Sequence, residues 1–356
     1  MAKIFSKSTF KLGFVEWFGA GLAAAALSFL SVLLSRPRDD LRGKTVLITG
    51  GSRGLGLALA RRCARAGARV SICARDEREL NLAASELART GASIHIWLCD
   101  VGDEGALARW IHAVREKWGA IDVLINNAGV IQVGPMNSMD QGDFETAMDV
   151  NFWGMVNSTR QVLPSMLEQG MGQLINITSI GGVVPVPHLV PYTCSKFAAV
   201  GFSAGASVEL AGTGVQVMTV IPGLMRTGSF LHALFKGRRQ SELTWFSLSS
   251  SAPLISMSVE RAARRIIEAY EARESWVVLG VQAKISRFLF ALFPSWFMSA
   301  LAGVNQRVLP ASPEHGSLEE RLPAKPGLLY RSRFSSPPYT VLGDRAARRY
   351  GEASGL

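Results

Sequence analysis

The chain has 356 residues, 48% hydrophobic and 19% charged, with a formal net charge of +10. This composition supports a sizeable core and excludes a generally disordered chain. The positive charge suits phosphorylated cofactors or anionic lipid, and the lack of a basic stripe interleaved with aromatics argues against nucleic acid.

Residues 1–13 carry Lys3, Lys7 and Lys11 and no acid, and Trp17–Leu34 then runs without a charge. That run is long enough to cross a hydrocarbon core, and Trp17, Phe18, Arg36 and Arg38 flank it as interfacial anchors would. No small-x-small cleavage site follows it and no polar face interrupts it. A transmembrane anchor is therefore expected over a cleaved signal or an in-plane helix. From Leu41 the pattern turns to strand, turn and helix, repeated. Strands are expected at Lys44–Thr49, Arg69–Cys73, Ile94–Leu98, Val123–Ile125, Leu174–Ile177, Val215–Val220 and Trp276–Leu279. Helices are expected over Gly54–Ala66, Asp76–Arg89 (with Asp76 as N-cap), Glu104–Trp118 and Asp143–Glu168, the last kinked or ended at Pro164. Such alternation predicts an α/β fold, a doubly wound parallel sheet of about seven strands with helices on both faces.

Residues 224–258 are expected to form a lid, apolar at Phe230, Leu231, Leu234, Phe235, Trp245 and Phe246. The basic run Lys236–Arg239 inside it could meet a carboxylate, a phosphate or lipid headgroups, or simply face water. Ile285–Val304 is apolar but holds Arg287 and Pro294, which argue against a clean span; it reads as a membrane-dipping or pocket-covering hairpin, with contact between two copies as the rival. Residues 311–356, rich in Pro, Ser, Gly and Arg, read as a mostly disordered tail.

Four cysteines at 63, 73, 99 and 194 form no C-x-x-C pair, and five scattered histidines show no ligand spacing, so no metal is expected. Cys194 reads as a buried bystander. The chemistry concentrates around Tyr192 and Lys196, four apart and so one helical turn from each other. An ammonium beside a phenol lowers the phenol's pKa from about 10 and prepares it to pass a proton near neutral pH. Ser179 ends the apolar run Leu174–Ile177 upstream. A glycine-rich turn, Thr49 to Gly56, follows the first strand. It lets backbone approach a pyrophosphate, while the next helix offers its free N–H groups.

In these motifs the chain resembles the short-chain dehydrogenase/reductase family over about Leu41–Leu279. Thr49, Gly50, Gly54 and Gly56 match its Thr-Gly-x-x-x-Gly-x-Gly pattern, Asp100 its adenine-holding acid, and Asn126 to Gly129 its Asn-Asn-Ala-Gly motif. Asn151, Ser179, Tyr192 and Lys196 match its catalytic tetrad, and Pro222, Gly223 and Thr227 its Pro-Gly-x-x-x-Thr. The resemblance implies a Rossmann-like fold and hydride transfer on a nicotinamide cofactor. Tyr192 would give a proton to the carbonyl oxygen, Ser179 would orient that oxygen, and Asn151 would hold a water linking Lys196 to solvent. Lys196 would also bond the nicotinamide ribose. The implied cofactor set is Gly50, Ser52, Arg53, Gly54, Leu55, Gly56, Arg75, Asp100, Val101, Asn127, Ala128, Gly129, Tyr192, Lys196, Pro222, Gly223 and Thr227. Arg53 in the turn and Arg75 after the second strand suit a 2′-phosphate, so NADP(H) is expected.

Four segments are expected: an anchor region 1–40, a catalytic domain 41–284, an apolar extension 285–310 and the tail 311–356. The expected activity is NADP(H)-dependent carbonyl–alcohol interconversion on a lipid-, steroid- or 3-oxoacyl-like substrate. The alternative is a non-enzymatic nicotinamide-sensing scaffold. Membrane lipid and a second copy of the chain are the expected partners. Free cysteines and the implied NADP(H) place the catalytic domain in the cytoplasm.

Overall fold

The computed structural model describes residues 39–352 apart from 253–254, 316, 318–319, 321 and 334–340; the expected anchor Trp17–Leu34 lies outside them. In chain order the strands are β1 (Thr45–Thr49), β2 (Arg69–Ala74), β3 (Ile94–Leu98), β4 (Val123–Asn126), β5 (Gln132–Val133), β6 (Gly172–Ile177), β7 (Val215–Pro222), β8 (Met225–Arg226), β9 (Leu234–Phe235), β10 (Met257–Ser258), β11 (Trp276–Leu279) and β12 (Lys325–Pro326). The helices are α1 (Gly54–Arg65), α2 (Glu77–Ala88), α3 (Glu104–Trp118), α4 (Gln141–Met148), α5 (Gly154–Gln169), α6 (Val190–Glu209), α7 (Arg239–Ser251), α8 (Val259–Glu271), α9 (Val281–Leu292), α10 (Pro294–Arg307) and α11 (Val341–Arg349).

Seven strands form one sheet in the order β3-β2-β1-β4-β6-β7-β11, and every pairing in it is parallel. The strands are apolar runs because both faces are covered. Their side chains alternate between two cores. Val46 and Ile48 point to the side of α1 and α8, and Leu47 to the side of α3 and α5, with Trp110, Val162 and Met166. On α8, Val259, Ala262, Ala263, Ile266, Ile267 and Tyr270 recur at helical spacing, and all are buried. The chain starts at β1 in the middle, builds outward to β3 and returns to β4. The crevice beyond the carboxyl ends of β1 and β4 is the place where such sheets bind ligands.

Two stretches differ from expectation, the helix over Asp143–Glu168 and the tail, and the lid gains detail. The helix expected over Asp143–Glu168 breaks at a π-helical turn, Asp149–Trp153, and runs through Pro164. The Arg115 guanidinium donates to the Gln161 carbonyl (3.1 Å), beside that proline. The lid expected over 224–258 carries elements of its own. β5, β9 and β12 form a three-stranded sheet, and α7 packs with them through Phe235 and Phe246. The tail is not without structure: β12 pairs with β9, and α11 buries Gly343, Asp344 and Ala347. Its contacts come in short pieces that mix small residues with Tyr350 and Glu352, so no apolar periodicity marks it.

The apolar extension forms a hairpin of α9 and α10, turned at Phe293–Pro294 and pinned by Phe290 against Phe297 (5.5 Å between centroids). Its outer face exposes Val281, Ile285, Phe288, Leu292, Phe293 and Trp296. Among the described residues no helix is long and apolar enough to cross a membrane.

Candidate active site

The glycine turn lies at the end of β1. Gly50 has φ +64°, a conformation in which glycine is favoured, and a Cβ there would sit 2.9 Å from Ala128 Cα. A Cβ on Gly56 would sit 2.1 Å from Gly50 O. The turn therefore packs on itself and on Ala128 more closely than any side chain would allow. Asn127 fastens it: the amide Nδ2 donates to Thr49 O and Gly50 O (both 3.0 Å), and the Asn127 and Ala128 N–H groups donate to Thr49 Oγ1. The Asn-Asn-Ala-Gly motif thus locks β4 to the turn. Behind it a buried polar chain crosses the sheet, from Ser158 to Asn126 (2.6 Å), Asn176 (2.9 Å), Ser203 (3.0 Å) and Thr219 (2.7 Å).

The predicted tetrad converges. Asn151 sits in the π-helical turn, a deviation often found at functional sites. Its Oδ1 accepts from Val130 N (2.9 Å), and its Nδ2 donates to Val130 O (3.0 Å) and Ser195 Oγ (2.9 Å). Ser195 donates in turn to Tyr192 O, which sets the register of α6 against the turn. A Cβ on Gly129 would lie 3.0 Å from Asn151 Oδ1 and 3.7 Å from Lys196 Nζ, so these two groups meet over that glycine. Lys196, buried on α6, donates to Ile177 O (3.3 Å) at the end of β6. Ser179 follows β6 and accepts from Gly181 N, and a Cβ on Gly181 would meet both the Tyr192 ring (3.2 Å) and Ser179 Oγ (3.6 Å), so the two side chains adjoin.

The electrostatics differ from the expected lowering of the phenol's pKa. Burial pushes Tyr192 above its ordinary value, and the Ser179 hydroxyl pulls it back. Lys196 Nζ stands 5.8 Å from the ring centroid and bonds a carbonyl instead. Burial pushes the ammonium down to about 8, so it keeps most of its charge at neutral pH.

The remaining predicted residues lie around the turn. Asp76 is the N-cap of α2, as expected, accepting from Glu79 N (2.9 Å). Arg53 is not free: Nη1 pairs with Glu79 (2.8 Å) and Nε with Glu352 (3.3 Å). Ser52 Oγ also donates to Glu79. Arg75 pairs loosely with Asp100 (3.6 Å), both exposed, and Asp100 also accepts from Gly102 N. Val101 is buried against Gly154. Leu55, also buried, continues α1 from the turn. Pro222 ends β7, Gly223 N donates to Leu279 O, and Thr227 Oγ1 accepts from Ser229 N. Cys194, expected to be buried, is exposed. Lys236, in the basic run of the lid, is buried between Asp140 (2.7 Å) and Asp143 (2.6 Å), the capping-box residues of α4.

Glu352, Glu79, Ser195 and His232 were not anticipated at the site. Glu79, three residues after an N-cap, was detectable; Glu352 is a lone acid in a stretch without pattern. Gly54 N, at the start of α1, donates to Tyr350 O (2.7 Å), and His232 Nε2 lies 2.8 Å from Glu352 O. Burial pushes the Glu352 carboxyl up to about 7 against the pull of Arg53.

The family model for short chain dehydrogenases matches residues 44–234. A candidate ketoacyl reductase of Streptomyces coelicolor is 38% identical over 186 residues, which is 52% of this chain and 71% of that protein. A short-chain dehydrogenase from Streptomyces avermitilis superposes with a TM-score of 0.63 at 27% identity, covering 74% of this chain and 98% of that one. An actinorhodin polyketide ketoreductase solved with NADPH superposes with a TM-score of 0.60 at 30% identity, over 67% of this chain and 95% of that one.

Proposed function

The chain belongs to the short chain dehydrogenase family of oxidoreductases, and on that footing we propose that it interconverts a carbonyl and an alcohol on a lipophilic substrate with NADP(H). The observation that carries this reading is the convergence of Asn151, Ser179, Tyr192 and Lys196 beside the glycine turn. The turn fits a nucleotide because Gly50 and Gly56 let it close tightly on itself and on Ala128, directly before the N-terminus of α1, an end that suits a phosphate. Gly50, Gly54 and Gly56 would take the pyrophosphate, Arg53 and Arg75 a 2′-phosphate, Asp100 the adenine, and Lys196 the nicotinamide ribose. When bound, NADP(H) supplies or accepts the hydride.

The side chains divide the remaining work. Tyr192, its pKa raised by burial, stays protonated at neutral pH and is a ready donor to a carbonyl oxygen. Ser179, beside it, orients the same oxygen and stabilises charge developing there. Lys196 steadies the phenolate left behind. Asn151 and Ser195 hold α6 where both groups face the turn.

The NADP(H) preference is supported by Arg53 and Arg75 and by the NADPH in the polyketide ketoreductase. A lipophilic substrate is supported by the apolar lid core of Phe230, Phe235 and Phe246 beside Tyr192. Association with a lipid surface is supported by the α9–α10 hairpin. Its exposed apolar face is accompanied by Lys284, Arg287 and Arg307, with no acidic residue between Glu274 and Glu314. The test is nicotinamide absorbance with NADPH or NADH and a panel of lipophilic ketones and aldehydes. NADPH consumption that disappears in Tyr192→Phe is expected; equal consumption by the variant would refute the assignment.

A further inference from the structure

We propose that the C-terminal segment Val341–Glu352 and the nucleotide cofactor are alternative occupants of the glycine turn, with Glu352 filling the anion seat beside Arg53. The inference rests on the nucleotide-binding reading above. The amide that a helix N-terminus offers to a phosphate is already taken here, since Gly54 N donates to Tyr350 O at 2.7 Å. The carboxylate of Glu352 lies over the same glycine. A Cβ on Gly54 would sit 2.5 Å from Glu352 Oε1, and Oε2 is 3.3 Å from Arg53 Nε. A carboxyl group therefore stands where the turn would hold an anion, on the arginine expected to hold the cofactor.

The segment is seated rather than draped. Ala347 is fully buried, and a Cβ on Gly228 would come 2.4 Å from its own Cβ. Gly343 packs as closely on Ser251. The Tyr350 ring lies under the Arg61 guanidinium (5.3 Å), and Arg61 Nη2 donates to Arg349 O (2.8 Å). His232 on the lid reaches the backbone of Glu352. The segment thus straps α1 to the lid across the mouth of the crevice.

The strap is also displaceable. Glu352 is 5% exposed, and its Oε2 has ion-pair neighbours in Arg53 and His232 but no well-formed hydrogen bond. A buried carboxylate so poorly satisfied is costly. A phosphate with several acceptor oxygens would use the same arginine and amide better. Tyr350 O and a pyrophosphate cannot share one N–H, so the two occupants exclude each other. A binding-competent state that is only partly populated weakens the apparent affinity by that fraction.

The test measures NADPH binding by nucleotide fluorescence, without turnover. It compares the full chain in detergent, a chain ending at residue 340, and Ala347→Arg, whose charged side chain cannot enter the seat against Gly228. With the strap docked in nine molecules of ten, both variants bind NADPH about tenfold tighter than the full chain. In the full chain, saturating NADPH speeds trypsin cleavage at Arg345, Arg348 and Arg349. Equal or weaker binding by both variants, or slower cleavage with NADPH, would overturn the competition and make the strap a clasp or a bystander. Failure of every form to bind NADPH or NADH would instead overturn the nucleotide reading, and this inference with it.

Discussion

Replacing Asn151 by alanine tests how the site is built. The side chain is 1% exposed and makes three hydrogen bonds, two to the backbone of Val130 and one to Ser195 Oγ. Its removal leaves the buried Val130 N–H and C=O and the Ser195 hydroxyl each short of a partner. A buried polar group left unsatisfied costs about 1–3 kcal/mol, and water entering the space vacated recovers part of that. We expect a net loss of about 3 kcal/mol, which lowers the melting temperature by roughly 6 °C in a domain of this size. Because Ser195 ties the turn to Tyr192 O, the variant should also lose more kcat than KM. Calorimetry and steady-state kinetics on the same preparation check both. A variant that melts with the parent, or that loses only substrate affinity, would refute Asn151 as the clamp of α6.

Other predictions follow from single distances. Gly56→Ala puts a Cβ 2.1 Å from Gly50 O and 2.6 Å from Asn127 Nδ2, so nucleotide titration should show binding at least about a hundredfold weaker. Gly201→Ala on α6 meets nothing within 4 Å and should stabilise the chain by about 0.5–1 kcal/mol, read by denaturant unfolding. The docked Glu352 carboxyl is raised from 4.5 to about 7, so docking is favoured when it is protonated and weakened as pH climbs between those values. The difference is worth about 3 kcal/mol. The groups facing it are Arg53, His232 and Glu79, and burial holds His232 below its usual pKa. The full chain's affinity for NADP⁺ should therefore approach that of the chain ending at 340 as pH rises from 5 to 8. On the hairpin, Phe288→Glu with Trp296→Glu should abolish flotation of the chain lacking residues 1–38 with anionic vesicles; undiminished flotation would remove the lipid role of that face.

The sheet was legible in the sequence because its strands are buried on both faces. Val46-Leu47-Ile48 and Val123-Leu124-Ile125 are unbroken apolar runs, and each leads out of its strand into a turn or loop. The tetrad and the glycine turn were legible because their spacing is local. What escaped depends on distant partners. The helix break at Asp149–Trp153 rather than at Pro164 comes from the bonds of Asn151 to Val130, a contact no periodicity announces. Lys236 in a basic run looks solvated until Asp140 and Asp143 are brought to it from α4. The tail from Lys325 to Glu352 docks through small residues, one strand pair, the Tyr350 ring and one carboxylate, so composition alone read it as disorder. The direction of the Tyr192 shift also needed the structure, because burial outweighs the pull of the Ser179 hydroxyl while Lys196 turns to Ile177 O.

The most direct test of the account follows a deuterium carried on C4 of NADPH, with the best ketone from the panel as acceptor. Mass spectrometry of the alcohol should find the label on the carbinol carbon. Tyr192→Phe should still bind NADPH while forming almost no labelled alcohol. Label absent from the carbinol carbon, or a Tyr192→Phe variant that forms labelled alcohol at the parent's rate, would contradict the assignment of hydride transfer with Tyr192 as the proton donor.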